Sequence, residues 1–363
     1  MRVGNLSKFV TGVAALLIAA ACGGSGGSSS GTPAPAVDVG QGQLQGAGAT
    51  FPEPFYTRAF YQYNQDHPKV SVNYQAIGSG GGIQQFTKGT VDFGASDVPM
   101  TAAEIAAAGG DTTVVQLPST IGVEAISYNL AGVDKLQLDG PTLANIFLGR
   151  VKKWNDPAIK ALNSSASLPS TDITVVHRSD GSGTTYAFTD YLGKVSPDWK
   201  STVGVGKSVQ WPVGVGGQGN QGVGQGVKTT DGAIGYVELA YVIQSKLQMA
   251  YLKNKAGKYL QPSLDGASAA AASLKNVSPT SFSITDADGP AAYPITSYSW
   301  VILRKDQTDA VKGKALVYLW KWVVTDGQTL GKDLQYAPLP KDTQTFSLSQ
   351  LKSITSGGKA ILT

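Results

Sequence analysis

Two hydrophobic periods alternate along this chain, and the switches between them mark out its elements. Val70–Ala76 (VSVNYQA) has the period of two that predicts a strand. Val91–Ala95, Ile121–Asn129, Ile173–His177, Ala233–Val237 and Ser299–Leu303 are short β-rich runs that predict further strands. Helices are predicted over Pro52–Asn64, Ile83–Lys88, Pro141–Leu148 and Thr184–Leu192. Ala310–Thr325 (AVKGKALVYLWKWVVT) carries the clearest helical spacing, and the small-residue run Ala267–Ala272 predicts a surface helix. From Gln45 onward, strands alternating with helices argue an α/β protein with a mostly parallel sheet.

The N-terminus stands outside this alternation. Met1–Lys8 carries Arg2 and Lys8 and no acid, Phe9–Ala21 is apolar or small, and Cys22 follows an Ala-Ala-Ala run. That order predicts a secretory signal over residues 1–21. Its apolar part falls short of the roughly 20 residues a membrane span needs. Cys22, the single cysteine, sits where cleavage would leave it first, which resembles a bacterial lipoprotein signal; Ala19 stands where such signals usually carry Leu, with Ile18 one place earlier. Residues 22–44 are then a lipidated cysteine and a flexible tether, Gly/Ser/Thr/Pro-rich over Gly23–Pro35. The alternative is a soluble secreted protein with an idle thiol.

Composition narrows the chemistry. The chain has 363 residues, enough for two domains, and 42% of them are apolar. Its net charge of +4, with no basic cluster larger than Lys152-Lys153, argues against nucleic acid as a partner. Two histidines and one cysteine leave no zinc, haem or iron–sulfur site, and no cofactor is expected. An intrachain disulfide is excluded for the same reason. The 45 glycines imply many tight turns or close approaches.

Three of those glycine clusters open helices. Gly46-Ala-Gly-Ala-Thr50-Phe51 precedes Pro52–Asn64, Gly78-Ser79-Gly80-Gly81-Gly82 precedes Ile83–Lys88, and Asp180-Gly181-Ser182-Gly183-Thr184 precedes Thr185–Leu192. Helix N-termini present unpaired N–H groups and partial positive charge, and glycine lets an anion come close. Ser79, Ser182 and Thr184 can add hydroxyl donors, so three converging ends would bind an oxyanion largely through neutral groups. Each Ser or Thr could instead merely cap its own helix. Arg178, at the end of an apolar strand, can add a forked guanidinium, with Asp180 holding it in place, unless the two form only a surface salt bridge. Other glycine patterns carry less. Gly214–Gly219 satisfies a dinucleotide fingerprint, but the stretch after it is too glycine-rich to open a good helix, and Gly226-Val-Lys228-Thr229 misses the phosphate-loop pattern by an insertion. His177 reads as strand packing or a second donor behind the site.

Six segments together resemble the phosphate-binding protein, a substrate-binding lipoprotein, of the bacterial high-affinity phosphate ABC transporter. They are Gly46–Pro54 (GAGATFPEP), Ile77–Gly82 (IGSGGG), Val91–Pro99 (VDFGASDVP), Arg178–Thr184 (RSDGSGT), Trp211–Val223 (WPVGVGGQGNQGV) and Gly232–Glu238 (GAIGYVE), in that family's order. The resemblance implies a two-lobed, periplasmic-binding-protein-like clamshell of type II, with a mixed sheet in each lobe and crossing hinge strands. Residues 45–119 and 294–363 would form lobe I, and 120–293 lobe II. The implied phosphate ligands are Thr50, Phe51 through its N–H, Ser79, Asp97, Arg178, Ser182, Gly183 and Thr184, with Asp180 orienting Arg178. The family often carries a second Ser where Gly80 stands.

Within that set, Asp97 would supply selectivity. A carboxylate only accepts hydrogen bonds, and phosphate near neutral pH still carries a proton to donate, whereas sulfate does not. Its alternative role is a helix cap or turn acid before Pro99. The expected function is thus non-catalytic: a monomer on the outer face of the bacterial cell membrane, periplasmic or cell-surface, captures phosphate and passes it to permease subunits, anchored through Cys22. Competing readings are a binding protein for another oxyanion such as sulfate, and a secreted serine-type hydrolase or phosphatase with Ser182 as nucleophile and His177 as base.

Overall fold

Nine strands join into one mixed sheet in the computed structural model, which describes residues 37–362. They are β1 (Gly42–Gly48), β2 (Val70–Ala76), β3 (Phe93–Ser96), β4 (Val114–Tyr128), β5 (Thr174–Arg178), β6 (Val215–Gly217), β7 (Ala233–Glu238), β8 (Gln248–Met249) and β9 (Thr296–Arg304). The spatial order is β2-β1-β3-β9-β4-β7-β5-β6, with β8 also on β4. The sheet is not mostly parallel. β1 pairs in parallel with β2 and β3, and β5 with β6 and β7. β4 and β9 run antiparallel to their neighbours. Alternation of strands and helices could not show this, because the reversed strands are those that cross the middle of the sheet.

β4 joins the two halves. Val114–Val123 pairs with β9, and Glu124–Tyr128 pairs with β7. Only its second part is legible as an apolar run, since Gln116, Pro118, Ser119 and Thr120 interrupt the first. All four are buried. Pro118 cannot donate to the ladder, and it sits opposite Trp300 where the register shifts between Ser299 and Trp300.

Six helices matter for the site or the core: α1 (Glu53–Asp66), α2 (Ser79–Lys88), α3 (Ala102–Ala107), α4 (Gly183–Val195), α5 (Gly219–Thr229) and α6 (Ala310–Val324). Helix α6 brings Trp320 edge-on to Tyr56, Phe60 and Phe93, with ring centroids 5.3, 5.8 and 5.1 Å apart. In the other half Phe188 stacks on Tyr236 at 4.3 Å. The expectation that the chain after Gly219 is too glycine-rich for a helix is wrong. Val223 and Val227, one turn apart, pack into a buried cluster with Ala125, Val176 and Val237, and that burial outweighs the poor propensity of glycine. The small-residue helix, Leu264–Ala272, is not a purely surface one, because Ala267, Ala270 and Ala271 are buried.

From Val39 onward the chain forms one compact unit. The expected signal and Cys22, with the Gly23–Pro35 tether, lie outside the described residues. Among the described residues no helix is long and apolar enough to cross a membrane, and no cluster of His, Cys, Asp and Glu could hold a metal.

Candidate functional site

The three helix starts singled out by their glycines come together. Ser79, the first residue of α2, accepts a hydrogen bond through Oγ from the N–H of Gly183, the first residue of α4, at 3.0 Å. The N–H of Gly80 donates to the carbonyl of Gly181 at 2.8 Å. Gly78 has φ +89°, and a Cβ there would fall 2.1 Å from Oδ2 of Asp180. Only glycine permits both that backbone and that approach. Thr50, just before α1, accepts at Oγ1 from the N–H of Asn220 at 3.1 Å and from its Nδ2 at 2.9 Å. Loops of both sheet halves thus meet in one connected hydrogen-bond set.

Arg178 ends β5 with its side chain 1% exposed. Nε donates to Oδ1 of Asp180 at 2.7 Å and Nη2 to Oδ2 at 2.5 Å, a fork on a carboxylate. Nη1 donates to Oγ1 of Thr184 at 3.1 Å. Those three bonds, out of five guanidinium N–H groups, leave one on each terminal nitrogen to face an anion. Asp180 also accepts from the N–H of Gly219 at 3.0 Å. Its pKa is depressed, chiefly through the Arg178 hydrogen bond, against the opposing effect of burial. The pair is a nearly buried fork rather than a surface salt bridge, and its formal charges cancel.

Capping explains only part of the hydroxyl set. Ser182 caps α4 by accepting from the N–H of Thr185 at 3.1 Å. Ser79 and Thr184 cap nothing: Thr184 Oγ1 accepts from Arg178 and, at 3.2 Å, from Asn220 Nδ2. Phe51 is buried, and its carbonyl accepts from the Tyr336 hydroxyl at 2.6 Å, which pins the peptide beside Thr50.

Asp97 follows β3 and lies 3% exposed against Gly183. It caps no helix; Thr101 caps α3. Oδ1 accepts from the Ser299 hydroxyl at 2.7 Å, and its N–H donates to Ser79 Oγ at 3.3 Å. Burial pushes its carboxyl up to about 7, against the opposing pull of Ser299, Arg178 and Ser79. The group therefore exchanges its proton near neutrality.

Sequence patterns missed several members of this assembly. Asn220 is fully buried and joins Thr50 to Thr184; it lies inside the Trp211–Val223 segment, where glycine content hid the helix that carries it. Ser299 lies in an apolar strand with no signal of its own. Glu124 and Glu238 face each other across β4 and β7, both fully buried. Burial holds both carboxyls well above the usual range. The base–nucleophile pair considered for hydrolysis is not joined among the described residues. His177 stacks on Trp211 at 4.7 Å, its Nδ1 lies 3.0 Å from the Arg178 carbonyl, and among the described residues no hydrogen bond joins it to Ser182.

Residues 33–324 match the family described as the PBP superfamily domain. The phosphate-binding protein PstS of Xylella fastidiosa is 44% identical over 338 residues, covering 91% of this chain and 92% of that protein. PstS of Pasteurella multocida is 45% identical over 324 residues, with 88% and 93% covered. Among solved structures, a high-affinity periplasmic phosphate-binding protein with bound phosphate superposes with a TM-score of 0.69 at 21% identity, covering 85% of this chain and 93% of that one. That last likeness bears on the fold, a two-lobed α/β clamshell with a mixed sheet.

Proposed function

The chain belongs to the PstS phosphate-binding proteins, and on that footing we propose that it captures inorganic phosphate outside the cytoplasmic membrane and delivers it to the permease of an ABC transporter. The observation that carries this reading is the buried Arg178 fork, with N–H groups to spare, set among hydroxyls and helix starts from both halves of the sheet. Such a site offers an anion mostly neutral donors and one cation already balanced by Asp180. Thr50, Phe51, Ser79, Arg178, Ser182 and Thr184 donate to the phosphate oxygens, Gly183 shares its one N–H between Ser79 Oγ and the ion, and Asp97 accepts from the one oxygen that carries a proton. Lobe I is residues 45–119 and 294–363, lobe II is 120–293, and the chain crossings between them let the cleft close over the ion.

The protein acts as a monomeric binding protein without cofactor or catalysis, held at the membrane by a lipid on Cys22. The test is calorimetric titration of protein stripped of ligand by unfolding and refolding, first with phosphate and then with sulfate. Tight one-to-one binding of phosphate alone is expected. A folded protein that binds neither ion would overturn the reading.

A further inference from the structure

We propose that Asn220 is a positioning residue for anion capture: it fills both lone pairs of the Thr50 hydroxyl and, together with Arg178, those of the Thr184 hydroxyl, leaving both O–H groups no role but to donate to the bound ion. The inference rests on the phosphate-capture reading and assigns a residue that makes no contact with the ion a part in its affinity.

The orientation of the Asn220 amide is decided by its neighbours. The backbone N–H of Glu238 lies 2.9 Å from Oδ1. An N–H can only donate, so the oxygen must face it and the NH2 group must face the two threonines. Thr50 Oγ1 then receives two hydrogen bonds, from the backbone N–H and the Nδ2 of Asn220. Thr184 Oγ1 also receives two, from Arg178 Nη1 and Asn220 Nδ2. A hydroxyl has two lone pairs and one proton. With both lone pairs occupied, each O–H points away from Asn220 and Arg178. All three residues are at most 1% exposed, so water does not compete for these bonds.

Asn220 is also placed to do this only when the halves meet. It sits in the first turn of α5, behind β6, whereas Thr50 follows β1 at the other side of the sheet. One amide therefore presets a donor from each half.

The test uses the whole chain, stripped of ligand, titrated calorimetrically with inorganic phosphate, with a thermal midpoint recorded for each variant. Asn220→Leu keeps the volume and the backbone N–H on Thr50 but removes the side-chain donor to both threonines; it is expected to weaken phosphate binding by about 30- to 100-fold, the effect of freeing one lone pair on each of two buried hydroxyls. In a Thr50→Val/Thr184→Val background the same change is expected to add less than about threefold, because the groups it acts through are gone. A packing role would give the same loss in both backgrounds and overturns the inference, as does an Asn220→Leu protein that binds within threefold of the wild type. Should Asn220→Leu not fold, Asn220→Asp keeps the shape and the acceptor for Glu238 but turns the donor into an acceptor. Wild-type affinity in that variant would likewise overturn the inference. A wild-type protein that binds no phosphate sinks the capture reading itself, an outcome distinct from binding that is indifferent to Asn220.

Discussion

Gly183 lies so close to Asp97 that a Cβ on the glycine would fall 2.5 Å from the Cβ of the aspartate and 2.7 Å from its backbone nitrogen. The two residues come from opposite halves of the sheet. No side chain at 183 can be accommodated while Ser79 keeps its bond to the Gly183 N–H. Gly183→Ala is expected to weaken phosphate binding by about 10- to 100-fold, in line with the cost of overpacking. Calorimetric affinities would check it, and a change of less than threefold would show that the halves need not approach this closely.

Asp97 ties the proposed phosphate selectivity to pH. Asp97→Asn presents an amide that can donate to sulfate as well as phosphate, so discrimination between the ions should erode. Without ligand, burial keeps the proton on folded Asp97 up to about pH 7, whereas an unfolded chain releases it near pH 4. Unfolding therefore releases a proton between those values. This residue's contribution to stability is full below about pH 4, falls as pH rises, and is level above about pH 7. Denaturant unfolding of the two proteins across that range should show a flatter slope in Asp97→Asn; identical slopes would contradict the buried, proton-bearing carboxyl.

The Arg178–Asp180 fork acts in the opposite pH direction. The pKa of Asp180 is depressed in the fold, so its stabilising effect is present above about pH 4 and lost as pH falls below that. Asp180→Asn should lower the thermal midpoint at pH 7, and by progressively less as pH falls below about 4. Arg178→Lys loses the planar fork and is expected to bind phosphate about 10- to 100-fold more weakly. A lysine variant with wild-type affinity would mean that charge alone suffices.

Lys207 and Glu104 form the one ion pair, among those of the described residues, that spans the two halves: Glu104 lies in α3 after β3, and Lys207 lies between α4 and β6. Their side chains are 17% and 27% exposed. Glu104 is already held by the capping box with Thr101, and the Lys207 carbonyl accepts from the N–H of Ser182 at 2.8 Å. Removing the ammonium with Lys207→Met should speed phosphate release by about threefold to fivefold, as befits a partly screened pair. It should also abolish the acceleration of release by salt expected of the wild type. Stopped-flow release rates at two salt concentrations would decide; equal rates and equal salt dependence would show that the pair does not hold the halves together.

Much of this was legible in the chain itself, because it depends on local order. The register of apolar positions located β2, β7 and α6 almost to the residue. Glycine and hydroxyl residues before three helices marked the ends that come together, and Arg178 with Asp180 two residues on was enough to propose the fork. Even there, local reading left capping and binding as rivals for Ser79 and Thr184. Helix α5 stayed hidden, since its stability comes from burying Val223 and Val227 on a sheet that the sequence does not display.

What the sequence by itself determined is the supply of groups: neutral donors at helix starts, one well-placed guanidinium, and an acid in a glycine-rich turn. Only the tertiary structure decided what those groups do to one another. Thr50 meets Asn220 from 170 residues away, and Asp97 meets Ser299 from 202 away. Pairings at that separation leave no local trace, because either partner alone looks like an ordinary polar residue. The direction of a hydroxyl and the proton on a buried carboxyl are set by such partners and by the loss of water around them, and so arise only when the chain has folded.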